Sequence, residues 1–349
     1  MNYVMKKITI IFFLIIAVLF SVKAKDKSNS RLKFNSNGKF KIVQFTDIHF
    51  KYNSYRSDSV LMMMKAAVET EKPDLVVLTG DVVCTDNTKK AWLALTQILV
   101  DSKVPWAVTL GNHDIEYELK GEKIMKTITG LPYCVTEDGP KDISGNGNYI
   151  LKVAGAKSRD TEAVLYFIDS HSGLNKEKGL GSYDWIKFDQ VQWYREQSKK
   201  LTRTNGDKPY PALAFFHIPL PEYNDVWGKE TTVGVKEEKV CSPDINTGMY
   251  SAFLESGDVM GMFVGHDHVN NYIGTLHNIA LVYGQATGRE TYGDIGKGYR
   301  VIELYEGERK FDTWIRIKYK ANRDEDLWKP THITEKQNFV SYPDSFHEN

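Results

Sequence analysis

The length and the charge of the chain already narrow the class of protein. Its 349 residues are 42% hydrophobic, which is enough for one large domain or two modest ones with a real core. The 45 basic and 45 acidic residues give a formal net charge of +0. Because no net positive field exists to attract a polyanion, we expect no nucleic-acid partner, and any phosphate recognition must come from a local site.

The first 24 residues have the pattern of a secretory signal peptide. Lys6 and Lys7 precede an apolar run over 8–20, and Val22 and Ala24 place small residues at the two positions that determine cleavage. We therefore expect a secreted or periplasmic protein with no stable membrane span after cleavage. An uncleaved membrane anchor is the alternative, although the run is shorter than the ~20 residues that a span needs.

The next part of the chain alternates apolar strands with helices. Strands are predicted over 40–45, 75–78 and 105–110, and helices over 57–71 and 87–99. Each strand stops at a small or turn residue and is followed by a polar side chain. This order is typical of α/β domains, which place their sites at the carboxyl ends of strands.

The rest of the chain is richer in strands. They are predicted over 148–153, 163–168, 211–216, 259–264, 272–283 and 298–304, with helices over 189–201 and 249–255. The polar segment 221–248 is long enough to suggest a functional or mobile loop. The tail, residues 321–349, is charged and contains proline, so we expect it to lie at the periphery of a domain over 25–320.

Residues of metal-binding type follow five of these strands. In chain order they are Asp47 and His49, then Asp81, then Asn112 with His113 and Asp114, then His217, then His266 and His268. Each fragment alone has an ordinary explanation as a helix cap, a turn or a buried histidine. Together they hold five of the nine histidines, which favours a metal site. Because alternate residues of a strand point to opposite faces, His266 and His268 can reach one site only if the chain bends, which Gly265 permits.

The motifs D-x-H, G-D, G-N-H-[DE], a lone H and G-H-x-H resemble the signature of the calcineurin-like metallophosphoesterase superfamily, from about Lys41 to Glu303. Segments 72–81 and 265–271 look like a subgroup similar to the purple acid phosphatases. His49 and Cys84 depart from the purple enzymes, which have glycine and tyrosine at those positions. The resemblance implies an α/β fold, a four-layer α/β/β/α sandwich of two mixed sheets flanked by helices.

The resemblance also implies two metal ions. Mixed oxygen and imidazole ligands suit Mn, Fe, Zn or Co. One ion would take Asp47, His49, Asp81 and His268, and the other would take Asp81, Asn112, His217 and His266. Asp81 would bridge the two ions, whereas Asp267 is left without a metal role and is expected to tolerate replacement better than His266 or His268.

The activity that the resemblance implies is hydrolysis of a small-molecule phosphate ester by a hydroxide that the two metal ions activate. A phosphomonoesterase is favoured narrowly over a phosphodiesterase, and a non-catalytic metal-binding scaffold is a third alternative. His113 would protonate the leaving group or stabilise the phosphoryl oxygens, and Asp114 would orient His113.

Three further expectations concern residues outside the ligand sets. Asn270 and Asn271 could line the phosphate pocket or form an ordinary turn. Residues 169–171 could contact the substrate or form a plain turn. The odd number of cysteines, Cys84, Cys134 and Cys241, allows at most one disulfide, and Cys134 with Cys241 is the favoured pair because Cys84 lies beside the proposed site.

Overall fold

A computed structural model describes residues 32–174, 179–228, 231–319 and 335–346. The predicted signal peptide, residues 1–24, lies outside these ranges and stays a prediction. Within the described ranges, no helix combines the length and the apolar character that crossing a membrane requires.

Two six-stranded mixed sheets form the centre of the fold. The strands of the first sheet are β1 (Lys39–Phe45), β2 (Leu75–Thr79), β3 (Trp106–Thr109), β10 (Lys297–Tyr305), β11 (Phe311–Tyr319) and β12 (Gln337–Tyr342). Their spatial order is β12-β11-β10-β1-β2-β3. Strands β1, β2 and β3 run parallel, so their carboxyl ends lie at one edge of the sheet, whereas β10, β11 and β12 join through antiparallel pairs.

The second sheet has the same number of strands. They are β4 (Tyr149–Ala154), β5 (Thr161–Phe167), β6 (Ala212–Phe215), β7 (Val259–Val264), β8 (Ile273–Leu276) and β9 (Ile279–Tyr283). The spatial order is β4-β5-β6-β7-β9-β8. Strands β5, β6, β7 and β9 are parallel, and β4 and β8 are antiparallel edge strands.

Six α-helices lie between these strands in the described chain. They are α1 (Tyr55–Glu71), α2 (Thr88–Asp101), α3 (Gly121–Ile128), α4 (Phe188–Thr204), α5 (Tyr223–Val226) and α6 (Met249–Ser256). Helices α1, α2 and α3 pack on the outer face of the first sheet, and α4 and α6 pack on the outer face of the second.

The alternation of side chains along single strands explains the layering. In β1, Val43 and Phe45 pack against the helices, while Phe40 and Ile42 belong to the cluster between the two sheets. In β6, Leu213 and Phe215 belong to that same inter-sheet cluster. Such strands are buried on both faces, which is why they read as continuous apolar runs. The predicted four-layer α/β/β/α sandwich is confirmed.

The expectation of a peripheral tail is wrong for residues 337–342. They form β12, which pairs antiparallel with β11, and its Val340 and Tyr342 are buried. The domain therefore extends beyond the predicted boundary at residue 320. The sequence does not single out β12, because its short alternation of apolar residues follows the longer charged segment 321–334.

Two other segments differ from expectation. Helix α3 has no counterpart among the predicted elements: Ile124, Met125 and Ile128 have helical spacing, but eight residues are shorter than the window in which that spacing identifies a helix. The predicted loop 221–248 contains α5, and Val233 and Lys236 form isolated bridges with Ile273 and Asn270. This loop is therefore tied to the second sheet along part of its length.

Candidate metal centre

The carboxyl ends of the parallel strands bring the predicted ligands together. Two groups form, each with its ligand atoms within 4.8 Å of one another. The first ligand group is Asp47, His49, Asp81 and His268, and the second ligand group is Asp81, His217 and His266. Apart from Asn112, their members are those of the two predicted ligand sets.

Asp81 belongs to both groups. Its Oδ1 accepts a hydrogen bond from the backbone N–H of His113 at 2.8 Å. Its Oδ2 lies 3.1 Å from Nε2 of His217 and 3.5 Å from Nε2 of His49. One oxygen is thus fixed by the backbone while the other faces both groups. Burial alone would raise the pKa of Asp81, but His217 and His49 outweigh it and hold the pKa well below its usual range.

Asp47 is fixed in a similar way. The backbone N–H of His266 donates to both of its carboxylate oxygens at 3.1 Å, and Thr46 Oγ1 donates to Oδ2 at 2.9 Å. Burial raises the pKa of Asp47, but the hydrogen bond and charge of His268, together with the charge of His217, lower it to about 2. Both buried carboxylates are therefore ionised.

Several buried polar atoms at the two groups have no hydrogen-bond partner within the described residues. They are Nε2 of His49, His217 and His266. Oδ1 of Asn112, beside the His113 N–H that donates to Asp81, is also unpaired, whereas Nε2 of His268 lies 3.3 Å from Oδ1 of Asp47. Unpaired buried polar atoms are rare in folded proteins because each one loses its hydrogen bonds to water. The four unpaired atoms of His49, His217, His266 and Asn112, with two ionised carboxylates, form a donor set that fits metal cations.

A hydrogen bond from the ring of His217 to the backbone determines which of its two nitrogens can bind a metal ion. Its Nδ1 lies 2.8 Å from the carbonyl oxygen of Thr79, so Nδ1–H donates to that oxygen. Nε2 then carries the lone pair that a metal needs. Burial alone would lower the pKa of His217, but the charges of Asp81 and Asp47 outweigh burial and raise this pKa to about 10. For His266, burial and the charge of His217 lower the pKa to about 3. The carboxylates thus stabilise positive charge at the centre, which metal ions would also supply.

Four of the ligand positions adopt a backbone conformation that is uncommon for residues other than glycine. The φ angles are 50° at Asp47, 46° at His49, 50° at Asp81 and 79° at His266. Such strain costs about 1–3 kcal/mol per residue and is concentrated at functional sites.

The expected bend at Gly265 lies one residue later. His266 adopts the left-handed conformation, and Gly265 serves a different purpose. A Cβ atom at Gly265 would lie 1.9 Å from Oγ1 of Thr46. Glycine is needed here because the turn packs directly on the end of β1.

His113 lies beside the first ligand group, with its ring centroid 5.2 Å from that of His49. Its side chain is partly exposed, and its Nδ1 is 2.6 Å from Oε2 of Glu116. Burial lowers the pKa of His113, but Asp81 and Glu116 outweigh it and raise the pKa. Glu116 is therefore the carboxylate that holds His113, and no motif predicts it beyond the spacing of three residues in a short turn.

Asp114 does not have the predicted orienting contact. It is fully buried, and its oxygens accept hydrogen bonds from the backbone N–H groups of Val82, Val83 and Gly111 at 2.8–2.9 Å. It thereby joins the loop after β2 to the loop after β3. Burial and the nearby charge of Asp81 raise the pKa of Asp114 to about 7.

Asp267 has no metal-ligand role in the two groups, but its contacts give it a structural one. This buried carboxylate accepts hydrogen bonds from Tyr283 Oη at 2.5 Å, from the backbone N–H of Cys241 at 3.2 Å and from Asn270 Nδ2 at 3.2 Å. It fixes the turn that carries His266 and His268.

Asn270 and Asn271 hold the segment 233–241, which we call the strap. Oδ1 of Asn270 accepts hydrogen bonds from the N–H groups of Glu237 and Glu238 at 3.1 and 3.2 Å. Oδ1 of Asn271 accepts one from the N–H of Val235 at 2.8 Å. The structure therefore gives both asparagines a role in the turn and its loop.

Residues 169–171 form hydrogen bonds within the protein. Ser170 Oγ accepts from the N–H groups of His217 and Ile218 at 3.3 and 2.9 Å. His171 Nε2 lies 2.7 Å from Oε1 of Gln190. This strand end supports the position of His217.

No disulfide joins any of the three cysteines, all of which lie in the described residues. Cys134 pairs through its backbone with Trp106 of the first sheet, whereas the N–H of Cys241 donates to Asp267 in the turn after β7. The favoured disulfide is therefore wrong, because the two thiols belong to different parts of the fold. Cys84 is buried near Asp81, and burial raises the pKa of its thiol.

Two tyrosines that the sequence did not single out as site residues pack on ligand histidines. The ring of Tyr183 meets that of His266 edge-on, with the centroids 4.5 Å apart. The ring centroid of Tyr292 lies 4.2 Å from that of His268, with 34° between the planes. These rings form walls beside the two ligand groups.

The two sheets meet at two clusters of metal-binding residues, and these clusters share the carboxylate of Asp81. This arrangement defines a metallophosphoesterase-type fold and site. The family model for calcineurin-like phosphoesterases matches residues 40–270. The chain belongs to this family.

Relatives and solved structures agree with this assignment. "Probable inactive purple acid phosphatase 14" of Arabidopsis thaliana is 34% identical over 84% of this chain and 82% of its own length. "Phosphatase DCR2" of Saccharomyces cerevisiae is 32% identical over 84% of this chain and 56% of its own length. A dimetal phosphatase from Danio rerio shares the fold, with a TM-score of 0.52 and 13% identity over 81% of this chain and 96% of its own.

Proposed function

We propose that this protein hydrolyses phosphate esters, and phosphomonoesters in particular, at a centre of two metal ions. The observation that carries this proposal is the convergence of unpaired histidine nitrogens on two groups that share one ionised carboxylate. A purely structural cluster would leave these buried atoms without compensation.

The first ion would be held by Asp47, His49, Asp81 and His268, and the second by Asp81, Asn112, His217 and His266. Mn, Fe, Zn and Co all suit this donor set. When bound, two such ions lower the pKa of a coordinated water and neutralise charge on the phosphoryl oxygens.

The protein's own groups would provide the rest of the chemistry. Asp47 and Asp81 are kept ionised and are oriented by backbone N–H groups. His113 would donate a proton to the leaving oxygen, and Glu116 would hold its ring and favour its protonated form. The partly exposed position of His113 lets a substrate reach it.

Monoester hydrolysis is preferred over diester hydrolysis because both relatives described above carry phosphatase in their names. Phosphodiester hydrolysis at the same site is the alternative, since the same ligands can serve both reactions. A metal-binding scaffold without catalysis is a further candidate, which the word "inactive" in one of those names favours. The complete ligand set and the presence of His113 argue against it.

The test is a turnover screen of the purified chain loaded separately with Mn, Fe, Zn or Co. The substrates are p-nitrophenyl phosphate as monoester and bis(p-nitrophenyl) phosphate as diester. We expect faster turnover of the monoester with at least one metal. Faster diester turnover would support the alternative.

His113→Ala provides the internal control in this screen. It should keep the bound metal and lose turnover, most with poor leaving groups. A wild-type chain that binds two metal ions per molecule and hydrolyses neither ester would contradict the proposal and support the scaffold.

A further inference from the structure

Tyr292 is an exposed side chain that is nevertheless held in place. It lies in the loop between β9 and β10 and is 55% exposed. One face of its ring packs on His268 of the first ligand group, with the centroids 4.2 Å apart. Because His268 is buried, this exposed ring stands directly at the border of the metal centre.

The two ends of Tyr292 are fixed by different parts of the chain. Its hydroxyl donates to Oε2 of Glu238 in the strap at 2.8 Å. Its carbonyl oxygen accepts from the buried Nζ of Lys297, at the start of β10, at 2.8 Å. Glu238 is itself held, because its Oε1 accepts from the N–H of Val269 at 2.9 Å.

An aromatic ring held in this manner is preorganised for binding. An exposed tyrosine normally loses side-chain entropy when a ligand packs on it, and prior fixation reduces that cost. One face of the ring is covered by His268, and the exposed fraction leaves surface for a second planar group. Aromatic faces bind such groups by offset stacking.

We propose that Tyr292 is the specificity-determining residue that binds the leaving group of the ester and selects uncharged planar leaving groups over aliphatic ones. This inference rests on the proposed function, because it places an ester phosphate at the metal centre. The carboxylate of Glu238 at the hydroxyl of Tyr292 repels leaving groups that carry further negative charge. Aryl esters and esters of uncharged heteroaromatic groups fit this surface, and polyol phosphates do not use it.

The experiment compares two ligands that cannot be hydrolysed, phenylphosphonate and methylphosphonate. Their affinities for the Mn-loaded full chain are measured by calorimetry, together with the metal content of each sample. The variants are Tyr292→Phe, which keeps the ring, and Tyr292→Leu, which keeps an apolar contact on His268 without an aromatic face. Phe188→Ala, which removes a 72% exposed aromatic residue at the start of α4, is the control.

We expect the wild-type chain and Phe188→Ala to bind phenylphosphonate about three- to tenfold more tightly than methylphosphonate. Tyr292→Phe keeps the ring but loses the hydrogen bond to Glu238, so it should keep part of this preference. Tyr292→Leu should bind the two ligands about equally, with the affinity for methylphosphonate and the metal content unchanged. An unchanged preference in Tyr292→Leu would overturn the proposal. Equal losses for both ligands would also overturn it, because they would show that the ring only supports His268.

Failure of the proposed function has a different signature. In that case the wild-type chain would show the phenyl preference and its loss in Tyr292→Leu, while phenyl phosphate, tested in parallel, would not be hydrolysed. That result would support the role of Tyr292 and contradict the hydrolytic activity.

Discussion

The two sheets contribute different chemistry to the metal centre. The first sheet provides both carboxylates, Asp47 and Asp81, together with His49 and Asn112, and the second provides the other three histidines, His217, His266 and His268. Each sheet also fixes the residues of the other. The N–H of His266 holds Asp47, and the carbonyl of Thr79 in β2 holds His217.

The two sheets also hold their ligands in place in different ways. The carboxylates follow short turns in left-handed conformations and are held by backbone N–H groups, so few side chains are involved. The turn with His266 and His268 is held by Asp267 and by the strap through Asn270 and Asn271. We infer that the first sheet sets the charge of the centre, while the second sheet connects the ligands to the loops that face a substrate.

The largest expected effect comes from the shared carboxylate of the first sheet. Asp81→Ala should lose metal at both groups and lower turnover by at least about a thousandfold, because the remaining ligands no longer balance two cations. The measurement is metal content by mass spectrometry together with hydrolysis of an aryl phosphate. Asp86→Ala, at an exposed position in the same loop, is the matched control. If Asp81→Ala retained turnover, the proposal that Asp81 bridges two metal ions would be contradicted.

A smaller effect is expected from the second sheet's turn. Asp267→Ala leaves the buried hydroxyl of Tyr283 and the N–H of Cys241 without their acceptor. We expect a loss of about 1–3 kcal/mol in the free energy of unfolding and a loss of roughly 10–100-fold in metal affinity. Urea unfolding and metal titration measure the two effects.

The control for this substitution is Asp207→Ala, which removes an exposed aspartate after α4. If Asp267→Ala were as stable as this control and bound metal normally, the turn would not depend on its anchor. The proposed difference between the sheets would then fail.

The smallest effect is expected from Glu116, which positions His113 but belongs to neither ligand group. Glu116→Gln should keep both metal ions and slow hydrolysis of esters with poor leaving groups by about tenfold, because His113 loses its ionic partner. Esters with good leaving groups should be nearly unaffected, since they need no proton.

The conservative variant Glu116→Asp should restore part of the rate, and Glu118→Gln, at an exposed position nearby, should behave as wild type. Equal slowing for good and poor leaving groups would show that Glu116 supports the loop and does not position a proton donor.

The strand ends of both sheets could be predicted from sequence because each one depends on a few neighbouring residues. An apolar run that stops at a glycine or a polar residue marks a buried strand and its end, as at Gly80 and Asp81. The layers follow because such strands are buried on both faces. The four-layer fold and the family, by contrast, were implied by the resemblance of the strand-end motifs to the metallophosphoesterase signature.

Other parts of the centre depend on contacts between distant segments. Asp267 and Asn270 look like ordinary turn residues until the strap is in place. The bend was assigned to Gly265 because glycine permits it, whereas packing against Thr46 decides which residue adopts the left-handed conformation. Tyr292 carries no local signal at all, because its contact with His268 forms only when the loop before β10 reaches the turn after β7.

The most direct test of the two-metal centre is a titration of the metal-free chain with Mn²⁺, followed by bound metal and by phenyl phosphate hydrolysis in the same samples. We predict that turnover rises to a maximum as the second equivalent binds, and that His266→Ala and His268→Ala each bind one equivalent and stay inactive. Turnover that reaches its maximum at one equivalent, or no turnover with two equivalents bound, would contradict the account.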